Sequence, residues 1–551
     1  MIALALSGLV LLFFFLVSGI TLTKVFKIRA SAVEKILLGL AVTNTVASTL
    51  SLFVAVNSTA LIILLFCLFP LLYFIKGDLR LLFFLFRNKN AVIISALPFI
   101  ICFLIISLGP PLLYDTGLYH LQTIKWIEEY PVVPGLANLH SRFGFNSNLF
   151  SLYALTSLAN IFGQEIFAVN FIIFSTLVFY FIQMLSNICK KSGISNLFIF
   201  NLLMLFSVLN LPRDFASPTP DFITTLLTIF IFSRIINDDN KDLPVLKKYI
   251  PLFILSVYGI TVKLSMIPII FLFIILFIRY RQDLKATFRI LPVIVIIILP
   301  WITRYIILTG WLIYPFPSVD IFNFDWEVPL ANVINEKLSV IGFSRSPDEH
   351  WKEAAEMSLF QWFPIWWDRL MLMNKLKILA SLVFPIMILT GWLAKKIKSD
   401  FMTIAAIITS FAGVIFWFIN APDLRFGRTF ILFASISPLV IMNFRIPTLN
   451  PIHIYKGVLF LLISYFFIYN IRKIQSVFES GFKDRIVKSQ VIEIPAEVKF
   501  QTINIKGGYI FVPSDGDRCF NSSIPCTPFQ DTSLVMRGIN PGRGYRKSTG
   551  P

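Results

Sequence analysis

The chain has 551 residues, 57% of them hydrophobic and 14% charged, with a mean hydropathy of +0.79. A water-soluble domain carries about 45–50% apolar and about 25% charged residues, so this composition excludes the ordinary globular class, and the 58 phenylalanines suit lipid-facing helices better than a wetted surface. The formal net charge of +18 does not mark a nucleic-acid partner, because the basic residues lie between apolar runs, where they act as topology signals.

Apolar runs follow one another from the first residue. About 20 such residues cross a hydrocarbon core about 30 Å thick, and at that depth a backbone without water partners must be helical. Spans are expected at 3–22, 36–55, 59–76, 91–110, 165–187, 195–212, 220–236, 248–262, 264–279, 289–309, 376–394, 402–420, 428–444 and 455–472. That makes an all-α polytopic membrane protein of about 14 transmembrane helices (roughly 13–15). The run 148–163 is either an interfacial helix or a further span. The first run is read as a span and not as a cleaved signal peptide, since no basic residue precedes it and no small-residue cleavage site follows. Its basic flank comes after it, at Lys24, Lys27 and Arg29, which turns the N-terminus outward.

Counting alternately from there, every loop expected on the inner side is basic. These loops carry Lys24, Lys27, Arg29 and Lys35, then Lys76, Arg80, Arg87 and Lys89, then Lys190 and Lys191. The later ones carry Lys241, Lys247 and Lys248, then Arg279, Arg281, Lys285 and Arg289, then Lys395, Lys396 and Lys398, and last Arg445 and Lys456. The long segments 110–164 and 310–375 then face the external side. The chain divides into a multi-span domain, 1–472, and an external appendage, 473–551. The appendage should continue as an amphipathic helix, then form β-like runs around EVKFQTINI and GYIFVPS on either side of Lys506-Gly507-Gly508, giving a small α/β-like unit. Its end, GINPGRGYRKSTGP, is expected to be loose. Cys67, Cys102 and Cys189 fall in or near apolar spans and read as packing residues. Cys519 and Cys526, in CFNSSIPC, lie on the side taken as oxidising, where a disulfide is favoured over metal binding by two thiols.

Five constellations carry possible chemistry. In PPLLYDTGLYHLQTIKW, Asp115 and His120 follow the fourth span; a partly desolvated carboxylate there gains basicity suited to proton abstraction from a hydroxyl, and helix capping is the competing explanation. His120 reads as a structural hydrogen-bonding group or a substrate contact. In SPTPDFITT, Asp221 opens a helix, and capping explains it as well as function does. In GITVKLSM, Lys263 interrupts two apolar runs, where an ionisable group is costly and suggests function, with a snorkelling lysine as the alternative. Arg304 sits inside the apolar run WITRYIILTGW, ahead of a loop rich in aromatics around Asp325 and Trp326. In NAPDLRFGRTF, Arg425 and Arg428 share one helical face and form a fork suited to phosphate, unless Arg425 simply pairs with Asp423. Trp362, Trp366 and Trp367 read as an interfacial belt. The topology brings the five constellations to one membrane face, as a carboxylate opposite several cations.

The motifs YDTGLYH, SPTPD, TVKLS, RYIILTGWLIYPF and APDLRFG, spread over roughly 110–430, resemble the C-type (GT-C) membrane glycosyltransferase superfamily, and within it a bacterial membrane-protein group of that fold. The resemblance implies a sugar donor carried on a polyprenyl phosphate or diphosphate, an envelope glycan, lipid or protein acceptor, and inversion at the anomeric carbon. It implies Asp115 as the base, with Lys263, Arg304, Arg425 and Arg428 around the donor phosphate and His120 and Asp221 contacting substrate. Many members carry paired acidic residues where this chain has Asp115-Thr116-Gly117, so no cofactor is assigned and a divalent metal lacks support. The extra spans before Asp115 also depart from the simplest core of that superfamily. Competing functions are a flippase or transporter of lipid-linked sugars, a polyprenyl-diphosphate glycan polymerase or ligase in which the arginine pair is central, and a non-catalytic binding protein.

Overall fold

A computed structural model describes residues 1–87, 90–109, 111, 113–162, 165–211, 215–238, 245–281, 288–347, 350–446, 451–479 and 498–548, with no side-chain description for 81–87, Asn160 and Val245. Lys89, Lys241 and Lys285, the side chain of Arg87, the tail segment 480–497 and residues 549–551 therefore lie outside the described residues. The chain is mostly helical. Among the described residues eight helices are long and apolar enough to cross a membrane: Ile2–Val25, Ala32–Leu50, Ser58–Arg80, Ala168–Ser192, Leu291–Thr309, Leu372–Leu393, Phe401–Asn420 and Pro451–Glu479. Their length and composition make the protein an integral, multi-pass membrane protein.

The run expected as one span over 428–444 is instead broken, into Leu424–Ser435 and Ser437–Ile441, with Pro438 at the start of the second piece because proline cannot donate the hydrogen bond that would continue the first. The ambiguous run 148–163 forms two short helices, Asn148–Thr156 and Ala159–Phe162, the first of them buried. Glycines let the first two spans touch: a Cβ on Gly19 would lie 1.8 Å from the Lys35 carbonyl oxygen, and one on Gly39 would lie 1.7 Å from that of Phe15, the close approach small residues allow between membrane helices.

Several polar groups inside the bundle are cross-bonded, which offsets their desolvation. Asn44 donates to the Asn148 carbonyl (2.6 Å), Ser48 to Asn148 Oδ1 (2.7 Å), Tyr258 to Asn44 Oδ1 (2.8 Å) and Asn148 to Thr261 Oγ1 (3.1 Å), tying Ala32–Leu50, Asn148–Thr156 and Val245–Val262 together. Asn170 donates to the carbonyls of Phe215 and Ser217 (3.0 and 2.9 Å) and so fixes the turn that leads to Asp221. A second ionic group occupies the opposite end of the same helices. There Arg234 pairs with Glu34 (3.1 Å) and Asp238 (3.3 Å), and Lys248 also pairs with Asp238.

The appendage contains two antiparallel hairpins, Phe500–Ile505 with Gly508–Pro513 and Leu534–Met536 with Tyr545–Lys547. Cys519 and Cys526 are joined by a disulfide. The stretch expected to be loose is folded through residue 548, because Tyr545 is fully buried and its N–H donates to the Pro134 carbonyl (3.0 Å). The appendage lies on the 113–140 segment and on the 310–329 loop. In that loop Asp325 forms a two-pronged pair with Arg537 (2.8 and 2.8 Å), whose guanidinium lies 4.9 Å from the Trp326 ring centre.

Candidate functional site

Asp115 precedes a single π-turn, Thr116–His120, and makes no capping hydrogen bond, which removes the competing explanation for it. Its carboxylate accepts from Arg142 Nη1 at 2.9 Å and Arg425 Nη1 at 3.5 Å. Arg142 comes from the 3-10 segment Ser141–Gly144, lies 5.9 Å from the Tyr119 ring centre and reaches Glu336 at 3.9 Å. Glu336 is held in turn by Ser141 Oγ at 2.6 Å.

Arg425 is placed by the helix start that carries it. Asp423 caps Leu424–Ser435 by accepting from the Arg425 N–H (2.8 Å) and also pairs with the Arg425 guanidinium (2.9 Å). Two indoles clasp this turn, Trp366 donating to the Pro422 carbonyl (3.0 Å) and Trp417 to that of Asp423 (2.6 Å). Trp366, read from sequence with Trp362 and Trp367 as part of an interfacial belt, is buried and supports the Arg425 turn. Lys263 stands in extended backbone between Val245–Val262 and the 3-10 turn Leu264–Ile269; its ammonium pairs with Asp221 and sits 3.9 Å over the Phe426 ring. Thr219, not Asp221, caps the helix Pro220–Ile236, so the Asp221 side chain is available to that lysine.

Asp115, Asp221, Lys263 and Arg425 therefore meet in one partly open cluster, their side chains 25%, 17%, 25% and 44% exposed. Burial works against ionisation of Asp115, but His120, Arg142, Arg425 and Lys263 outweigh it and hold the carboxyl below its ordinary value. The gain in basicity expected from desolvation is thus reversed by the cations. His120 is buried against Tyr119 and Phe150, its ring centre 4.4 and 5.3 Å from theirs, and burial pushes it down to about 4. At neutral pH it is uncharged, which leaves Arg142, Arg425 and Lys263 as the standing charges around Asp115.

Arg428 lies one turn beyond Arg425 and lines, with Arg425, Thr225, Thr228 and Ser265, a narrow, half-open cleft. Arg304 is placed elsewhere. It is 2% exposed, donates to Asn146 Oδ1 (3.1 Å) and Ser51 Oγ (2.5 Å), and faces a small aromatic-lined recess formed by Trp126, Phe143, Phe145 and Phe150. Ser51 ends the helix Ala32–Leu50, so the guanidinium sits at the negative end of a helix dipole. Among the described residues no group of three or more His, Cys, Asp or Glu is arranged to hold a metal ion.

Sequence reasoning left Arg142 and Glu336 out of the site. Arg142 stands 27 positions from Asp115 and belongs to no helical repeat with it; the only signal was an unassigned arginine in the same outer segment. No curated protein and no solved structure matches the chain. Residues 1–432 match a family described as a domain of unknown function, DUF8201, and over that length the chain belongs to the DUF8201 family.

Proposed function

We propose that the protein is a membrane glycosyltransferase that moves a sugar from a polyprenyl-phosphate-type donor to an envelope glycan, lipid or protein acceptor. One observation carries this reading: an ionised, partly exposed Asp115 among Arg142, Arg425 and Lys263, beside a cleft edged by the hydroxyl residues Thr225, Thr228 and Ser265 and by Arg425 and Arg428. The reading takes the site and both termini on the external face of a bacterial inner membrane, with about 14 spans. The basic loops support that orientation. The span count adds to the eight long helices the shorter apolar helices Asn90–Ile106, Asn196–Leu209 and Leu264–Arg279, together with Pro220–Ile236, Val245–Val262 and the broken helix over Leu424–Ser435 and Ser437–Ile441.

In this reading the lipid phosphate enters the cleft, and Arg425, Arg428 and Lys263 hold its charge. The acceptor oxygen attacks the anomeric carbon while the bond from that carbon to the phosphate oxygen breaks, its electron pair leaving with the phosphate. The hydroxyl proton passes to Asp115. A carboxylate held at low pKa is a weak base, so the transfer must come late, when the attacking oxygen has become strongly acidic. Fixed cations aimed at the departing phosphate then supply the larger share of the acceleration.

The direct pair between Asp115 and Arg425 (3.5 Å) favours a second reading, a polyprenyl-diphosphate glycan polymerase or ligase in which Asp115 orients Arg425. The test uses purified protein in nanodiscs, radiolabelled polyprenyl-phosphate sugars and an envelope acceptor extract. Asp115→Asn should abolish transfer; transfer that persists unchanged in the variant removes Asp115 as the base, and dependence on a diphosphate donor selects the second reading.

A further inference from the structure

The disulfide-closed loop 517–526 lies directly on the turn that carries Asp115. A single π-turn is rare, and here the appendage adds hydrogen bonds to it from outside. The Phe520 N–H donates to the Gly117 carbonyl (2.7 Å). Gln122 Nε2 donates to the carbonyls of Phe520 (3.2 Å) and Ser522 (3.0 Å) and to Ser522 Oγ (3.3 Å). Lys125 adds bonds to the carbonyls of Asn521 and Ser522 (3.3 and 3.1 Å), and Tyr114, the residue before Asp115, donates to Asp517. The fit admits little slack, since a Cβ on Gly117 would come within 2.9 Å of the Phe520 ring. The glycine of YDTGLYH is thereby explained by the approach of the loop. Both cysteines are buried, at 1% and 0% exposure, which makes the disulfide a permanent staple rather than a switch open to thiols.

We propose that this loop is the positioning element of the Asp115 turn: Phe520, Gln122 and the Cys519–Cys526 link set the direction in which the carboxylate points at Arg142 and Arg425. None of the three touches a reacting atom in the proposed chemistry. The catalytic consequence rests on the reading of Asp115 as the base; the structural half of the proposal does not.

The experiment compares full-length protein in nanodiscs with Gln122→Leu and with the pair Cys519→Ser/Cys526→Ser. Backbone amide exchange is read over 113–125 and, as a control, over 168–192. Removing the three bonds of Gln122 should speed exchange at 116–122 about tenfold or more while leaving 168–192 unchanged. Unchanged exchange at 116–122 overturns the proposal, as does an equal rise in both segments, which would make the loop a support of the whole bundle. Gln122→Leu keeps the test decisive if the cysteine pair variant does not fold. In the transfer assay the same variant should lower kcat about tenfold with KM for the lipid donor within about twofold; a rise in KM with kcat unchanged would assign the loop to donor binding and overturn positioning. If wild-type protein transfers no sugar, the proposed function fails while the exchange result still decides the clamp.

Discussion

The pairing of Asp115 with Arg142 is the most direct test of the cluster, because it needs no substrate. At about 4 Å between charge centres, opposite unit charges attract by about 4 kcal/mol in an effective dielectric near 20, whereas a fully exposed pair yields at most about 1 kcal/mol. These side chains are 23% and 25% exposed, which places the expected coupling between those limits, at about 1–3 kcal/mol. The variants Asp115→Asn, Arg142→Gln and their combination close a double-mutant cycle, read by thermal unfolding in nanodiscs. One kcal/mol moves a midpoint by about 2–4 °C in a domain of 150–250 residues and by less in a chain of this length, so shifts of a degree must be resolved. The pH sign follows from the depressed carboxyl value. The ionised form is favoured by the fold, so its contribution is fully present above the ordinary carboxyl value of 3.8 and is lost as pH falls through the lower folded value. Coupling should therefore hold steady from pH 7 to about 5 and fade only as pH falls through the folded value, below the ordinary one. Additivity within about 0.3 kcal/mol at pH 7, or a coupling already lost between pH 7 and about 5, would refute the ion-pair account.

Three further outcomes follow from the same geometry. Lys263→Met leaves Asp221 without its partner and should lower the unfolding midpoint, by up to about 3–5 kcal/mol in the fully buried limit and less at this exposure; adding Asp221→Asn should restore it, and a double variant as unstable as the single one contradicts the pair. Burial pushes His120 to about 4 and His140 to about 3, so between those values and 6.5 the unfolded chain binds more protons and stability falls as pH drops. His120→Gln should remove about 3 kcal/mol of that loss, and equal pH slopes in variant and wild type between pH 7.5 and 4.5 would show His120 to be uninvolved. Arg304→Met removes a buried charge that has no carboxylate partner among the described residues but takes the donor from Asn146 Oδ1 and Ser51 Oγ, so stability should fall by about 1–3 kcal/mol while sugar transfer stays within about threefold, whereas Arg425→Ala should cost about a hundredfold or more; equal losses of transfer in the two variants would put Arg304 in the working site.

Where sequence and structure agree, the reason is local. Membrane integration follows from run length, and Pro220–Ile236 was legible to the residue because Pro218 and Pro220 mark its start and the apolar run its length. Asp221, Lys263 and Arg425 were legible as a set because a charge beside an apolar span has few places to go. Arg142, Glu336 and the appendage contacts were not legible, since they depend on how an irregular segment folds back over 27, 195 and about 400 positions and no periodicity encodes that return. Arg304 misled for the opposite reason. Its position within one span was right, but depth along a helix says nothing about which neighbour it faces, and here it faces the end of Ala32–Leu50.

The charged residues of the cluster share one structural circumstance. Asp115 precedes a π-turn, Arg142 belongs to a 3-10 segment, Lys263 separates a helix from a 3-10 turn, Asp221 stands in the first turn after Pro220, and Asp423 and Arg425 sit at a helix start. Backbone of this kind has unpaired polar groups, and near a membrane it persists only where protein or water satisfies them. The arginines, the lysine and the three aspartates need the same medium, since their mutual pairing does not by itself repay full desolvation. Both requirements are met if this end of the bundle is a wetted cleft roofed by the appendage, and the 44% exposure of Arg425 beside the 25% exposure of Asp115 fits such a cleft better than a sealed ionic core. The counterpart at the other end of the same helices differs on this point. Glu34 and Asp238 there are only 4% and 7% exposed, as expected of an ionic tie between helices. Of the two ionic groups, the one around Asp115 is therefore the one open to solutes from outside the bundle.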